Sequence, residues 1–309
     1  MILCCGEALI DMLPRKTEGG ETGFVPYPGG SVFNTAIALA RLGVPTGFFS
    51  GLSRDLFGRQ LCRSLEESRV DISPARISDR PTTLAFVSLS GGQASYHFYD
   101  ENSAGRMLTS ADLPMLGDDV PALLFGGISL VSEPCGSTYE TMMERAATSR
   151  VSMLDPNIRP AFIADGEAHR SRMRRMMGLA DIIKISEEDL AWLGGFDRIE
   201  AAARAYLSHG AKLVIATKGG EGAHGFWSGG SVFEPPLKVD VVDTVGAGDS
   251  FNAAILAWLH EAGRLTKDHL AALDEQAVRE ALSFATRVAA VTVSRAGANP
   301  PRRDELGGG

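Results

Sequence analysis

Short apolar runs alternate with stretches of helical period along nearly the whole chain. Runs at 2–5, 47–52, 122–125, 151–155, 182–185 and 213–217 have the length and apolar density of strands covered on both faces, and segments of helical period separate them. The alternation predicts an α/β fold: a three-layer α/β/α sandwich around a mostly parallel central sheet. Two places break the pattern. Residues 7–28 are rich in Gly, Pro and charge, and between 83 and 99 two alternating runs flank Gly91-Gly92 as in a hairpin. Together they predict a small β flap, a lid built from segments 7–28 and 83–100. A second hairpin is expected at 223–227 and 231–233, about Gly229-Gly230. Leu237, Val239 and Val241 alternate as in a last strand, and beyond them Phe251, Ala254, Ile255, Trp258 and Leu259 repeat with the period of an amphipathic helix. Another helix is expected from Ser31 to Leu42, directly after Gly29-Gly30. No linker, repeat or charge run divides the sequence, so residues 1–309 are expected to form one domain with a frayed Gly307–309 tail.

Composition narrows the partners. With 309 residues and 44% hydrophobic content, the chain can bury about three quarters of its unfolded surface. A net charge of -8 and a pI near 5.3 argue against nucleic acid or an anionic membrane surface. An anionic ligand must then be held by local devices: backbone N–H groups, a few placed Lys or Arg, and a divalent ion. The first residues lack a basic segment, and their apolar run is broken by Glu7 and Asp11, so no signal peptide is expected. Cys4, Cys5, Cys62 and Cys135 are too sparse for a zinc site or disulfide scaffold, and a reducing, cytoplasmic setting is expected.

The candidate chemistry is concentrated at 243–251, Asp-Thr-Val-Gly-Ala-Gly-Asp-Ser-Phe. Gly246, Ala247 and Gly248 carry almost no side-chain bulk, so consecutive backbone N–H groups can face a ligand at a helix start, where the dipole adds about half a positive charge. Such a turn holds a phosphate oxygen. Asp249, on the first turn, would repel a bound phosphate but is well placed to take a proton from an attacking hydroxyl; the helix dipole is expected to keep it ionised. The alternative is that Asp249 only caps the helix. In open α/β sheets ligands sit beyond the carboxyl ends of the strands. Asp11, Gly29-Gly30, Asn157, Arg159 and Gly219-Gly220 are all expected at such ends.

These residues resemble the PfkB carbohydrate kinase family, which includes ribokinase and bacterial fructokinase. Residues 243–251 match its C-terminal signature, and Gly29-Gly30-Ser31-Val32-Phe33-Asn34 followed by Ala36, Ala38 and Leu39 matches its N-terminal one. The resemblance runs the full length and implies a ribokinase-like fold and ATP-dependent phosphorylation of a sugar. It implies Asp249 as general base, with Gly246, Ala247 and Gly248 as the anion hole. Asp11, Gly29, Gly30 and Asn34 would bind sugar hydroxyls, with Phe98 in the flap above. Asp155-Pro156-Asn157-Ile158-Arg159-Pro160 resembles a segment of the fructokinase and 2-keto-3-deoxygluconate kinase branches, in which Asn157 and Arg159 would approach phosphates and substrate. Lys184, Thr217, Gly219, Gly220 and Gly222 match nucleotide-binding positions, and Thr286 falls near the adenine. Where the family has Asn-x-x-Glu, this chain has Ser186-x-x-Asp189, with Asp189 left to hold Mg2+ through water. A monovalent-cation loop for K+ would map to Asp243, Val245, Thr292, Arg295 and Gly297; Pro301 replaces a serine hydroxyl there. Relatives often form a homodimer through the flap.

Two other classes compete. Gly220-Glu221-Gly222-Ala223-His224-Gly225 is a literal G-x-G-x-x-G, but a hairpin pattern follows it rather than the helix that dinucleotide binding needs. A sugar-binding regulator without turnover could use the same scaffold, although the intact Asp249 and glycine turn argue for catalysis. Among substrates, Asp100 in the flap would repel an acid sugar, which favours a neutral ketohexose, fructose, over 2-keto-3-deoxygluconate. The resemblance then implies transfer to the 6-hydroxyl.

Overall fold

A computed structural model of the chain describes residues 1–90 and 93–307. In chain order the strands are β1 (Ile2–Cys5), β2 (Leu9–Lys16), β3 (Thr22–Gly29), β4 (Thr46–Phe49), β5 (Gly51–Ser53), β6 (Arg76–Ser78), β7 (Leu84–Ser90), β8 (Gln93–Tyr99), β9 (Ala122–Gly126), β10 (Val151–Asp155), β11 (Ile182–Ser186), β12 (Leu213–Thr217), β13 (Ala223–Trp227) and β14 (Gly230–Glu234). The helices are α1 (Ser31–Arg41), α2 (Leu56–Glu67), α3 (Cys135–Ala146), α4 (Gly166–Met177), α5 (Glu187–Leu193), α6 (Ile199–Ser208), α7 (Ala247–Glu261), α8 (Lys267–Ala271) and α9 (Glu275–Val293).

Eight strands form the central sheet in the order β14-β13-β12-β11-β10-β9-β1-β4. It is parallel from β12 to β4 and ends in the antiparallel hairpin β13-β14. Successive side chains of a strand leave by opposite faces, so each central strand feeds two cores. Ile2, Cys4, Leu124 and Met153 pack with α1, α7 and α9 residues such as Leu39, Ile255 and Leu282. Leu3, Cys5, Phe125 and Leu154 pack on the other face with Tyr139 and Met143 of α3 and Met173 and Met176 of α4. Truncating one of these to Ala would cost about 2–5 kcal/mol. Pairing in register sets the strand ends level: Cys5 lies opposite Phe49 and Phe125, Asp155 opposite Gly126, and Ser186 opposite Thr217. The carboxyl ends therefore make one rim, from which the functional loops emerge.

The lid is a second sheet in the order β3-β2-β7-β8. Asp11 sits opposite Tyr27 on one side and Ala85 on the other. The turn residues Gly91-Gly92, expected at the tip of the β7-β8 hairpin, lie outside the described residues.

Two expected strands differ. The run 47–52 breaks at Ser50: Thr46–Phe49 stays in the central sheet, while Gly51–Ser53 leaves it to pair in parallel with Arg76–Ser78. At Gly51 the backbone lies against the Ala104 carbonyl so closely that any side chain would collide with it. No strand forms over Leu237, Val239 and Val241. All three are exposed, and so are Lys238 and Asp240 between them, so the alternation has no face to bury. The segment is held only near its end, where the N–H groups of Val242 and Asp243 both reach Val293 O, at 2.8 and 3.2 Å. Among the described residues no helix is long and apolar enough to cross a membrane, and all four cysteines are unpaired.

Candidate active site

Helix α7 opens at Gly246, whose φ of 80° is left-handed. A Cβ there would also stand 2.9 Å from the Ala298 methyl, so both torsion and space call for glycine. The first turn of α7 receives no side-chain cap; the Ala247 N–H turns back to Thr244 O at 3.3 Å, and the N–H groups of Gly248 and Asp249 are left at the cleft that Gly246, Ala247, Gly248 and Asp249 line. That cleft has a volume of about 830 Å³ and lies between the rim of the central sheet and the underside of the lid.

Asp249 is held from the opposite end of the sequence. Asn34, on the first turns of α1, donates from Nδ2 to Asp249 Oδ2 at 2.9 Å. Helix α1 starts in turn from Gly30, whose φ of 110° and close approach to Glu7 O, 2.8 Å from a Cβ, exclude any other residue without strain. The Asp249 carboxyl is pushed up to about 7, chiefly by burial and further by the charge of Asp155; the hydrogen bonds from Asn34 and Ser31 and the charge of Lys184 act the other way. The expectation that the helix dipole keeps Asp249 ionised is thus corrected: near neutral pH the group is only partly ionised. Desolvation prevails, and the group becomes a better base than an ordinary carboxylate.

A second acidic group organises the phosphate side. Asp155, at the end of β10, accepts from Lys184 Nζ at 3.1 Å, from Asn252 Nδ2 at 2.6 Å and from Asn157 N at 3.2 Å. Burial lowers the Lys184 pKa, but the charges of Asp155, Asp189 and Asp249 outweigh it, and the net movement is upward, so the ammonium stays charged. Its Nζ would be 3.4 Å from a Cβ on Gly248, which places the cation beside the anion turn. Asn157 takes a left-handed φ of 43° in the turn that Asp155 closes, and Arg159 follows it, exposed on the cleft wall.

The structure brings together on this one cleft Asp11, Gly29, Gly30, Asn34, Phe98, Asn157, Arg159, Lys184, Asp243, Val245, Gly297 and the 246–249 turn. Asp11 is pushed up to about 6 by burial. Thr217, Gly219, Gly220, Gly222 and Thr286 do not line it; the glycines follow β12 along the same rim, with Gly219 and Gly220 exposed. Asp189 is also off the cleft, because its oxygens are occupied: Oδ1 accepts from Ile158 N at 2.7 Å and Oδ2 from Ser186 N at 3.1 Å. The shorter pair Ser186 and Asp189 forms a capping box on α5, and Asp189 also anchors the 157–159 loop through Ile158. Among the described residues no cluster of three His, Cys, Asp or Glu side chains is arranged to hold a metal.

In the expected cation loop, Asp243 accepts from Val245 N at 3.0 Å and Gly297 N at 2.9 Å, which joins those positions. Thr292 turns its hydroxyl into the core, against Ser250 Oγ at 2.9 Å, and Arg295 pairs with Glu305 at 2.8 Å, so only their backbone carbonyls remain to offer. Asp100 does not face the sugar side of the cleft. It is paired with Arg106 at 2.9 Å and accepts from Ser132 at 2.9 Å, so its charge cannot be what rejects an acid substrate.

Sequence reasoning assigned no role to Asp155, Asn252 or Glu7. Asn252 was findable, since it lies three residues after Asp249 and so on the same helix face. Glu7 and Asp155 each sit at or just past the carboxyl end of a central strand, the position from which ligand contacts are expected.

Residues 1–305 match the pfkB family carbohydrate kinase profile. A fructokinase of Rhizobium leguminosarum bv. trifolii is 58% identical over 279 residues, covering 90% of this chain and 86% of the relative. A solved fructokinase from Xylella fastidiosa with bound ATP superposes with a TM-score of 0.89 at 29% identity, covering 99% of this chain and 97% of that one. A fructokinase double mutant from Vibrio cholerae O395, with fructose, ADP and potassium ion bound, gives 0.86 at 25% identity, covering 99% and 96%. With signatures, fold and cleft all in agreement with a match across nearly its whole length, this chain belongs to the pfkB family of carbohydrate kinases.

Proposed function

We propose that the protein is an ATP-dependent fructokinase that transfers the γ-phosphoryl group of MgATP to the 6-hydroxyl of fructose. The observation that carries this reading is the Asn34–Asp249 contact. It unites a residue suited to sugar hydroxyls with a half-buried base of pKa about 7 beside a helix turn that no side chain caps. Fructose itself is supported by the 58% identity to the Rhizobium fructokinase.

In this reading Asp11, Asn34 and the backbone at Gly29-Gly30 bind the sugar hydroxyls, while Tyr96 and Phe98 of the lid cover the ring and exclude water. Asp249 accepts the proton of the 6-hydroxyl as its oxygen bonds to the γ-phosphorus; the bond from that phosphorus to the bridging oxygen breaks, and ADP leaves with the electron pair. Amides of the 246–248 turn and the Lys184 ammonium, with Arg159 at the wall, meet the charge on the migrating group. The nucleotide extends from there along the rim towards Thr217, Gly219, Gly220, Gly222, Asn157 and Thr286. Magnesium enters as part of the substrate, held by phosphates and water.

ADP release measured across fructose, ribose, 2-keto-3-deoxygluconate and nucleosides, with Asp249→Asn as control, tests the proposal. Turnover of fructose at least tenfold above the others is expected. Preference for the acid sugar would move the assignment to a 2-keto-3-deoxygluconate kinase, and sugar binding without turnover would make the protein a regulator. The same reading treats residues 1–309 as one kinase unit working in the cytoplasm, where ATP is abundant. It also takes the exposed lid residues Phe24 and Tyr99, which pack on Phe86 and do not line the cleft, as the face of a homodimer, which sedimentation at micromolar concentration would reveal.

A further inference from the structure

Helix α1 carries Asn34 to Asp249, yet its own start lacks the usual support. Its N-cap is Gly30, no side chain from the neighbouring sequence caps it, and its first turn holds no acidic residue. The orphan N–H groups are met instead by Glu7, from the loop after β1. Glu7 Oε1 accepts from Ser31 N at 2.8 Å and Val32 N at 3.4 Å, and Oε2 accepts from Ser129 N at 3.3 Å. The Gly30 and Gly127 backbones close around Glu7: Gly30 packs on its carbonyl, and any side chain on Gly127, at φ 71°, would strike its carboxylate. Glu7 is almost fully buried, and its exposed remainder lies on the cleft wall. Few devices justify burying a carboxylate so fully, because the uncompensated cost is large. Here three backbone donors and a helix N-terminus meet it.

We infer that Glu7 is a positioning residue of the kinase: its carboxylate ties the end of β1, the start of α1 and the 127–129 turn into one floor, and thereby fixes Asn34 and Ser31 against Asp249. The inference rests on the reading of Asp249 as the base, and it assigns Glu7 no contact with the reacting atoms. Substituting Gln leaves one oxygen for the α1 amides but turns an NH2 group towards the Ser129 N–H, donor against donor, or the reverse after a flip. The floor must then shift at one of its two seams.

The test is a double-mutant cycle of Glu7→Gln and Asn34→Ala in the full chain, read as kcat and the separate KM values for fructose and ATP. Glu7→Gln alone should lower kcat/KM for fructose about 10- to 100-fold with the KM for ATP within about twofold. In the Asn34→Ala background the same change should cost only about threefold, because of the two contacts through which it acts only that of Ser31 remains. Full additivity, an unchanged kcat/KM, or an insoluble Glu7→Gln protein would each overturn the inference, the last by making Glu7 a folding residue. Asp249→Asn separates the two levels. If it retains the wild-type rate, the base assignment falls; if it is inactive while Glu7→Gln is silent, only the role given to Glu7 falls.

Discussion

Asp249→Asn should make this protein both more stable and nearly inactive. A carboxyl whose pKa is about 7 in the fold and 3.8 in its ordinary state binds a proton in the native protein that the unfolded chain has already lost between those pH values. Folding is therefore opposed as pH rises from about 4 to 7, and the full penalty persists above 7. At about 1.4 kcal/mol per tenfold the gap amounts to ~4 kcal/mol, and water reaching the open cleft reduces this to on the order of 1–3 kcal/mol. Asparagine keeps the shape and the contact with Asn34 but not the charge. Its melting temperature at pH 8 should exceed the wild-type value by about 2–4 °C, and the advantage should shrink to nothing near pH 4. In turnover assays the wild-type kcat/KM should fall about tenfold per pH unit below 7, as the base protonates, while the variant should lose about 100- to 10,000-fold at every pH. A variant less stable than wild type at pH 8, or a stability gain that does not depend on pH, would show that burial does not raise the Asp249 pKa as described.

Three further outcomes follow from the same geometry. Gly246→Ala forces a methyl into a left-handed turn already touching Ala298 and should cost about 1–3 kcal/mol of stability and more than about tenfold in kcat, measured by thermal melts and ADP release. Lys184→Met leaves Asp155 buried without its ion pair and should destabilise by about 3–5 kcal/mol in chemical denaturation, with a raised KM for ATP, whereas the Asp155→Asn, Lys184→Met pair should recover part of that stability. If the turn closed by Asp243 and Gly297 carries a potassium ion, activity should rise severalfold when sodium is replaced by potassium at constant ionic strength, and Asp243→Ala should abolish that difference.

The central sheet was legible because its strands are buried on both faces. A run such as Val151–Asp155 holds two polar residues, Ser152, which finds Asp181, and the closing Asp155, which turns towards the cleft, so apolar density and its endpoint mark the element together. The same logic failed for Leu237, Val239 and Val241, since alternation records only that one face differs from the other, and burial of either depends on a neighbouring strand that the local sequence does not encode. The 47–52 run is the complementary case: its residues are as apolar as a continuous strand requires, but Gly51 lies against the Ala104 carbonyl, more than fifty positions on, and pairs with Arg76 outside the central sheet.

For the site, glycine turns and the acid beside them were readable because they answer to local torsions and local charge, whereas the groups that tune them answer to distance in space. Asp249 looked ionised when only its helix was considered, and the dipole does act there. The burial that outweighs it arises from the lid, α1 and β10 folding around the same point, and Asp155 adds a like charge from nearly a hundred positions away. Asp189 shows a contact of the same kind. Its position matched a metal-associated acid, and in the fold a carboxylate one methylene shorter accepts from two backbone N–H groups and braces the loop behind the cleft, a contact its sequence position did not disclose. Positions whose role depends on a hydrogen bond across the fold, Glu7 and Asp155 among them, can be listed from the sequence as polar groups at strand ends. Only convergence in space separates those that hold the machinery from those that simply face water.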